Sequence, residues 1–150
     1  MYKKILVPLD GSSRAEAILP HVENLARSLR AEILLLYVDE SADLLLERDE
    51  VVDVNRYLEK RRQQLEGKEA YLQAVTDAWC ARDLLVRWRL THGAVVRGII
   101  DCAVKEAVDL VAMASHGMEG VETTYYGSVA AGVLNRIDRP LLLIRSQFIK

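Results

Sequence analysis

Short runs of uninterrupted apolar residues, separated by helical stripes, constrain this chain more than any other feature. They are Ile5-Leu6-Val7, closed by Pro8, then Ile33-Leu34-Leu35-Leu36-Tyr37-Val38, Leu110-Val111-Ala112-Met113-Ala114 and Leu141-Leu142-Leu143-Ile144. A strand with one wet face alternates apolar and polar residues. A strand that is apolar throughout is buried on both faces, as in a parallel sheet with helices on each side. Between the first two runs, Ala15, Ile18, Leu19, Val22, Leu25, Ala26 and Leu29 recur at spacings of three and four, an amphipathic helix. Pro20 inside that stripe predicts a kink or a fresh helical turn. Strand, helix and strand make one unit with a right-handed crossover.

The segment from about Leu44 to Trp79 reads as one long helix, with Val51, Leu58, Leu65, Leu72 and Trp79 at sevenfold spacing. Arg61 and Lys68 in companion positions argue for a helix laid along a sheet and against a coiled coil. The basic run Lys60-Arg61-Arg62 reads as a solvated helix face. From Leu84 to Leu90, Val86, Trp88 and Leu90 alternate with Arg87 and Arg89, which predicts an edge strand with one wet face. Gly93 breaks the chain. Val96, Ile99, Ile100, Ala103 and Ala107 mark another helix, and after a loop from Ser115 to Tyr126 so do Val129, Val133, Leu134 and Ile137. Pro140 opens the last strand. The order β-α-β-α-β-α-β-α-β predicts an α/β fold: one doubly wound, five-stranded parallel sheet flanked by helices, Rossmann-like, over residues 1–150. With 150 residues, 51% of them hydrophobic, the chain suits one domain with its own core.

Charge and cysteine content exclude several function classes. A formal charge of −2 gives no global basic field, so nucleic acid is not an expected partner. Cys80 and Cys102 match no zinc spacing and read as two reduced thiols. The apolar start is too short for a secretory h-region, and no stretch approaches the ~20 apolar residues of a spanning helix. The expectation is a soluble cytoplasmic protein with no membrane partner.

In doubly wound sheets, ligands sit beyond the carboxyl ends of the strands, at the point where strand order reverses. The loops there should carry Pro8-Leu9-Asp10-Gly11-Ser12, Val38-Asp39-Glu40 and Ser115-His116-Gly117. Nine residues separate Gly117 from Gly127-Ser128, just ahead of a helix. A helix N-terminus offers free N–H groups and a positive dipole end to an anion, and glycine lets the backbone approach a phosphate. The Ser128 hydroxyl suits either a phosphate oxygen or a plain helix cap. The segment lacks the Gly-Lys-Ser/Thr of a Walker loop and the Gly-x-Gly-x-x-Gly that follows a first strand. His116 reads as a loop or ribose contact, because no nucleophile and base stand at a recognisable spacing. Ser128 has no adjacent activating base. Asp39 and Glu40 read as solvated carboxylates.

Taken together, Lys4-Ile-Leu-Val-Pro-Leu-Asp10-Gly-Ser, Asp109-Leu-Val-Ala-Met-Ala-Ser-His-Gly117, Gly127-Ser128-Val129-Ala130 and Arg139-Pro140-Leu-Leu-Leu-Ile-Arg145 resemble the universal stress protein family across nearly the whole chain. The resemblance implies a parallel sheet related to the adenine nucleotide alpha hydrolases, and a homodimer formed through the last strand. It points to the branch that binds ATP, or its products AMP and ADP, with Mg²⁺ between the phosphates. On that resemblance, Gly117, Gly127 and Ser128 hold the phosphates and Asp10 lies by the ribose. Pro8, Leu9, Val38 and Met113 surround the adenosine, and Val129 and Ala130 follow on the phosphate-binding helix turn. Ala114 stands where the family pattern has its first glycine. A left-handed backbone there would cost alanine about 1–2 kcal/mol. The implied role is regulatory or stress-responsive, with no catalytic residue and at most slow ATP hydrolysis. The alternative is a nucleotide-free dimeric interaction module, motivated by Ala114, by the acidic loop residues Glu119 and Glu122, and by the basic run at Lys60-Arg61-Arg62.

Overall fold

Each apolar run forms a strand: β1 (Lys4–Pro8), β2 (Glu32–Asp39), β4 (Leu110–Ala114) and β5 (Leu141–Ile144), with the alternating segment forming β3 (Val86–His92). The computed structural model describes residues 1–40, 54–115 and 127–145. The strands lie in the order β3-β2-β1-β4-β5, and every pairing is parallel. Ile5 sits between Ile33 of β2 and Leu110 of β4. The chain steps outward from β1 through β2 to β3, then crosses back to lay β4 on the other side of β1. The reversal therefore falls between β1 and β4, the switch point of this doubly wound sheet.

Four α-helices cover the two faces: α1 (Leu19–Leu29), α2 (Val54–Cys80), α3 (Val95–Lys105) and α4 (Ser128–Arg136). One core joins Ile5, Val7, Ile33 and Leu35 to Val22 and Ala26 of α1 and to Leu72 and Trp79 of α2. The other joins Leu6, Leu34 and Leu36 to Ile99 and Ala103 of α3 and to Val133 of α4. Neighbouring residues of β1 and β2 thus serve opposite cores, which is why no polar residue interrupts either run.

Two local expectations resolve into specific shapes. Pro20 does not kink a continuous helix. A 3-10 turn over Ala15–Ile18 ends there, and Pro20 sits in the first turn of α1, where its missing N–H is not needed. The sevenfold repeat of α2 packs only in its second half. Leu72 and Trp79 are buried and Leu65 is half-buried, whereas Leu58 is 57% exposed. The helix gains about 1.5 Å per residue, so its first turns run past the sheet's carboxyl edge. Residues 44–53, also expected to be helical, lie outside the described residues.

β3 is an edge strand, as its alternation predicts. Val86, Trp88 and Leu90 pack toward the core shared with α2. Arg87 and Arg89 form ion pairs with Glu32 and Glu106 instead. Both cysteines are free thiols, Cys80 exposed and Cys102 buried. Among the described residues, no helix is long and apolar enough to cross a membrane.

Candidate functional site

The carboxyl ends of β1 and β4, with the start of α4, assemble most of the residues singled out by sequence. At the end of β1, the Leu9 N–H donates to the Leu36 carbonyl (2.8 Å), which extends the pairing with β2 one residue past Pro8. The chain then turns at Asp10-Gly11, and Gly11 adopts φ +83°, a conformation open to glycine at no steric cost. Asp10 Oδ1 accepts from the Ser12 N–H (2.9 Å) and the Ser12 hydroxyl (2.5 Å). Ser12 Oγ in turn accepts the Ala15 N–H (3.2 Å), which caps the following 3-10 turn.

At the end of β4, Met113, Ala114 and Ser115 are buried. Ala114 lies in register with Ile144, and the Ser115 N–H donates to the Ile144 carbonyl (2.8 Å). Among the described residues, only Arg30, Asp83 and Ala107 of the non-glycine residues have positive φ. Ala114 is therefore ordinary strand backbone, and the left-handed strain considered for an alanine here does not arise.

The start of α4 is tied directly to this strand end, because the Gly127 N–H donates to the Ser115 carbonyl (2.8 Å). Gly127 is the N-cap, extended at φ −63° and ψ 158°, and glycine brings no side chain of its own to cap the helix. Ser128 is the exposed first helical residue and not the cap, a correction to the cap reading of its hydroxyl. The N–H groups of the first turn have no intrahelical acceptor and stand beside β4. Ala130 is buried below them, Val129 half-buried.

Met113, Val38 and Ala130 belong to the core on the α3 and α4 face. Val38 is held there by close approach: a methyl group on Gly98 of α3 would come within 2.9 Å of its Cγ2. Leu9 belongs to the opposite core, so its backbone borders the α4 side, whereas Pro8 shares the strand face of Leu6, which is that side. Gly117, His116, Glu119 and Glu122 lie outside the described residues.

A second polar cluster occupies the other face of the same edge, and sequence reasoning missed it. Asp39 is not a solvated carboxylate. It is 1% exposed, with Oδ2 against Arg61 (2.5 Å) and Oδ1 against Lys68 (2.6 Å). His92 Nδ1 stands 3.3 Å from the same carboxylate. The solvated reading of Lys60-Arg61-Arg62 holds for Lys60 and Arg62 but not for Arg61, whose side chain is 13% exposed. Lys68 also lies over the Tyr37 ring, 5.4 Å from its centroid, and Tyr37 meets Tyr71 edge to face. The Tyr37 hydroxyl donates to the Asp10 carbonyl (3.1 Å), and that of Tyr71 to Glu16 (2.8 Å). Burial, then the nearby Asp10 and Asp39 carboxylates, raise the Tyr37 pKa, so the hydroxyl stays a donor. Burial and the bond to Glu16 do the same for Tyr71. The one sequence signal for this cluster was Tyr37 itself, a hydroxyl in an otherwise aliphatic strand. Among the described residues, no group of three or more His, Cys, Asp or Glu side chains could hold a metal ion.

The model of the universal stress protein family matches residues 1–145. The chain belongs to this family. It is 28% identical to the universal stress protein MJ0577 of Methanocaldococcus jannaschii over 161 residues, covering 97% of this chain and 96% of that one. A solved structure of MJ0577 superposes with a TM-score of 0.85, covering 98% of both chains. Two members of lower identity share the fold. One is a universal stress protein in complex with cAMP (18% identity, TM-score 0.68, 97% of this chain and 98% of that one). The other is a family protein of Arabidopsis thaliana with AMP bound (16% identity, TM-score 0.68, 97% of this chain and 92% of that one).

Proposed function

We propose that this member of the universal stress protein family binds an adenine nucleotide, ATP or its products ADP and AMP, in a regulatory or stress-response role. The observation that carries the reading is the Gly127–Ser115 hydrogen bond. It sets the N-terminus of α4, whose cap residue is a glycine, against the end of β4, at the point where strand order reverses. Gly127, Ser128, Val129 and Ala130 would hold phosphate oxygens there, together with Gly117. Val38, Met113 and Ala114 would line the base, and the Pro8-Leu9 backbone and Asp10 the sugar. Family members in complex with cAMP and AMP support an adenine nucleotide as the ligand class.

With no metal-ligating cluster among the described residues, Mg²⁺ would be held chiefly by the phosphates. No nucleophile and base stand at a recognisable spacing in the sequence, so the reading is a binding protein with at most slow hydrolysis. A cytoplasmic homodimer of the single 1–150 domain completes the proposal. It would join along β5, which pairs only with β4 among the described residues and has half-buried apolar side chains.

The nucleotide-free alternative loses part of its support, since Ala114 carries no backbone strain and Arg61 of the basic run is turned inward onto Asp39. Mass spectrometry of small molecules released on denaturing freshly purified protein decides between the readings, followed by melting with millimolar ATP and Mg²⁺. Ligand at about a hundred times its Kd adds about 2.7 kcal/mol of stability, a rise of roughly 5–10 °C for a chain of this size. Protein that carries no nucleotide and shows no shift would reject the proposal.

A further inference from the structure

We infer that Tyr37 is a specificity-determining positioning residue: by holding the Asp10 carbonyl it fixes the Asp10 carboxylate where it can accept both hydroxyls of a ribose. The inference rests on the nucleotide reading above and assigns a role to a residue outside the proposed contact set.

The Asp10-Gly11 turn has no ladder of its own, yet three bonds fix Asp10. Its carbonyl accepts from the Tyr37 hydroxyl, and its Oδ1 accepts from the Ser12 N–H and hydroxyl. Tyr37 reaches the turn from the α2 side of the sheet, opposite the core that holds Val38, Met113 and Ala130. It therefore braces the turn from behind and need not occupy the ligand's space. The brace is itself held. Lys68 stands over the ring while paired with the buried Asp39, and Tyr71 packs against the ring's edge. Gly11 turns beside the same ring, at 3.9 Å from the position a Cβ would take.

The chemical consequence is selective. Base and phosphate contacts would come from Val38, β4 and α4, and the Tyr37 hydroxyl bonds the Asp10 carbonyl instead. Only a contact made by Asp10 depends on the turn. A vicinal diol offers two hydroxyl donors to one carboxylate, and a carboxylate held in place can accept both. Freeing the turn should therefore weaken recognition of the sugar hydroxyls while leaving recognition of base and phosphates in place.

The experiment measures Kd by calorimetry for ATP, 2′-deoxy-ATP and 3′-deoxy-ATP with the native protein, Tyr37→Phe and Tyr71→Phe. The Phe variants keep both rings, and melting curves verify that each still folds. The native protein is expected to prefer ATP over either deoxy analogue by about tenfold or more, the scale of a hydrogen bond to a charged group. Tyr37→Phe is expected to reduce that preference to about twofold, chiefly by weakening ATP, with the deoxy analogues little changed. Tyr71→Phe, which loses only the bond to Glu16, should keep the native preference. An unchanged ratio in Tyr37→Phe, an equal loss in Tyr71→Phe, or a native protein indifferent to the sugar would each overturn the inference while leaving nucleotide binding intact. A native protein that binds none of the three would overturn the nucleotide reading and this inference with it.

Discussion

The two ends of the sheet treat polar groups in opposite ways. At the amino end, charges satisfy one another near the surface. Glu106, at the end of α3, receives Arg87 (2.6 Å), Arg89 (2.7 Å) and Lys4 (3.7 Å), and Glu32 pairs with Arg87. The Asp109 carboxylate accepts the N–H groups of Lys3 (2.7 Å) and Lys4 (2.9 Å), closing the ladder where β1 and β4 begin. At the carboxyl end the charges are buried on one face, and the other face presents a helix terminus whose cap residue is a glycine. The amino end is built to be closed. The carboxyl end is braced from behind by Asp39, Lys68 and Tyr37, and its remaining donors suit a ligand. One parallel sheet yields both ends, because helix N-termini gather at the carboxyl edge and helix C-termini at the amino edge.

The sharpest way to break this contrast is Asp39→Ala. It removes the carboxylate shared by Arg61 and Lys68, which is 1% exposed, and the expected loss is about 3–5 kcal/mol in urea unfolding. Hydrogen exchange should rise over the part of α2 from Arg61 to Lys68 and stay near native at the amino end. A loss under 1 kcal/mol would mean that the cluster does not hold α2.

Gly98→Ala comes next. The added methyl would meet Val38 at 2.9 and 3.0 Å, a clash costing about 1–3 kcal/mol, partly offset by better helix propensity. Pairing it with Val38→Ala should recover part of the loss, and a double-mutant cycle showing strict additivity would refute the contact. Ser12→Ala removes both the Asp10 bond and the cap on Ala15, for about 1 kcal/mol by thermal melting.

The smallest effect belongs to the amino end. Glu106→Gln should cost no more than about 1 kcal/mol, since its partners are substantially exposed. Its sign with pH is nevertheless fixed. The Arg87 hydrogen bond, then the nearby arginines and Lys4, hold the Glu106 pKa below the usual 4.5, and the two backbone N–H donors hold Asp109 below 3.8. In that window the unfolded chain binds more protons. The stabilisation is therefore present above about pH 4.5 and is lost as pH falls through the folded-state values. Melting curves from pH 6 to 3 should show native protein losing more stability than the Glu106→Gln variant. Parallel curves would contradict the pairing.

Sequence alone determined the parallel sheet, an edge strand in the Leu84–Leu90 segment, and the segments that gather at the carboxyl ends of the strands. These follow from periodicity, since burial on both faces leaves strands with no polar interruption and burial on one face leaves helices with a stripe. Tertiary structure alone decided that Asp39 is buried beneath Arg61 and Lys68, that Ala114 carries no strain, and that Tyr37 braces Asp10. Lys68 stands 29 residues from Asp39, and Tyr37 27 residues from Asp10. Neither pair shares a turn, a stripe or a register that a local pattern could reveal. They meet because α2, once its Leu72 and Trp79 are buried, must lie along the sheet with Arg61 and Lys68 at its carboxyl edge, where a buried carboxylate is stable only with cations at hand.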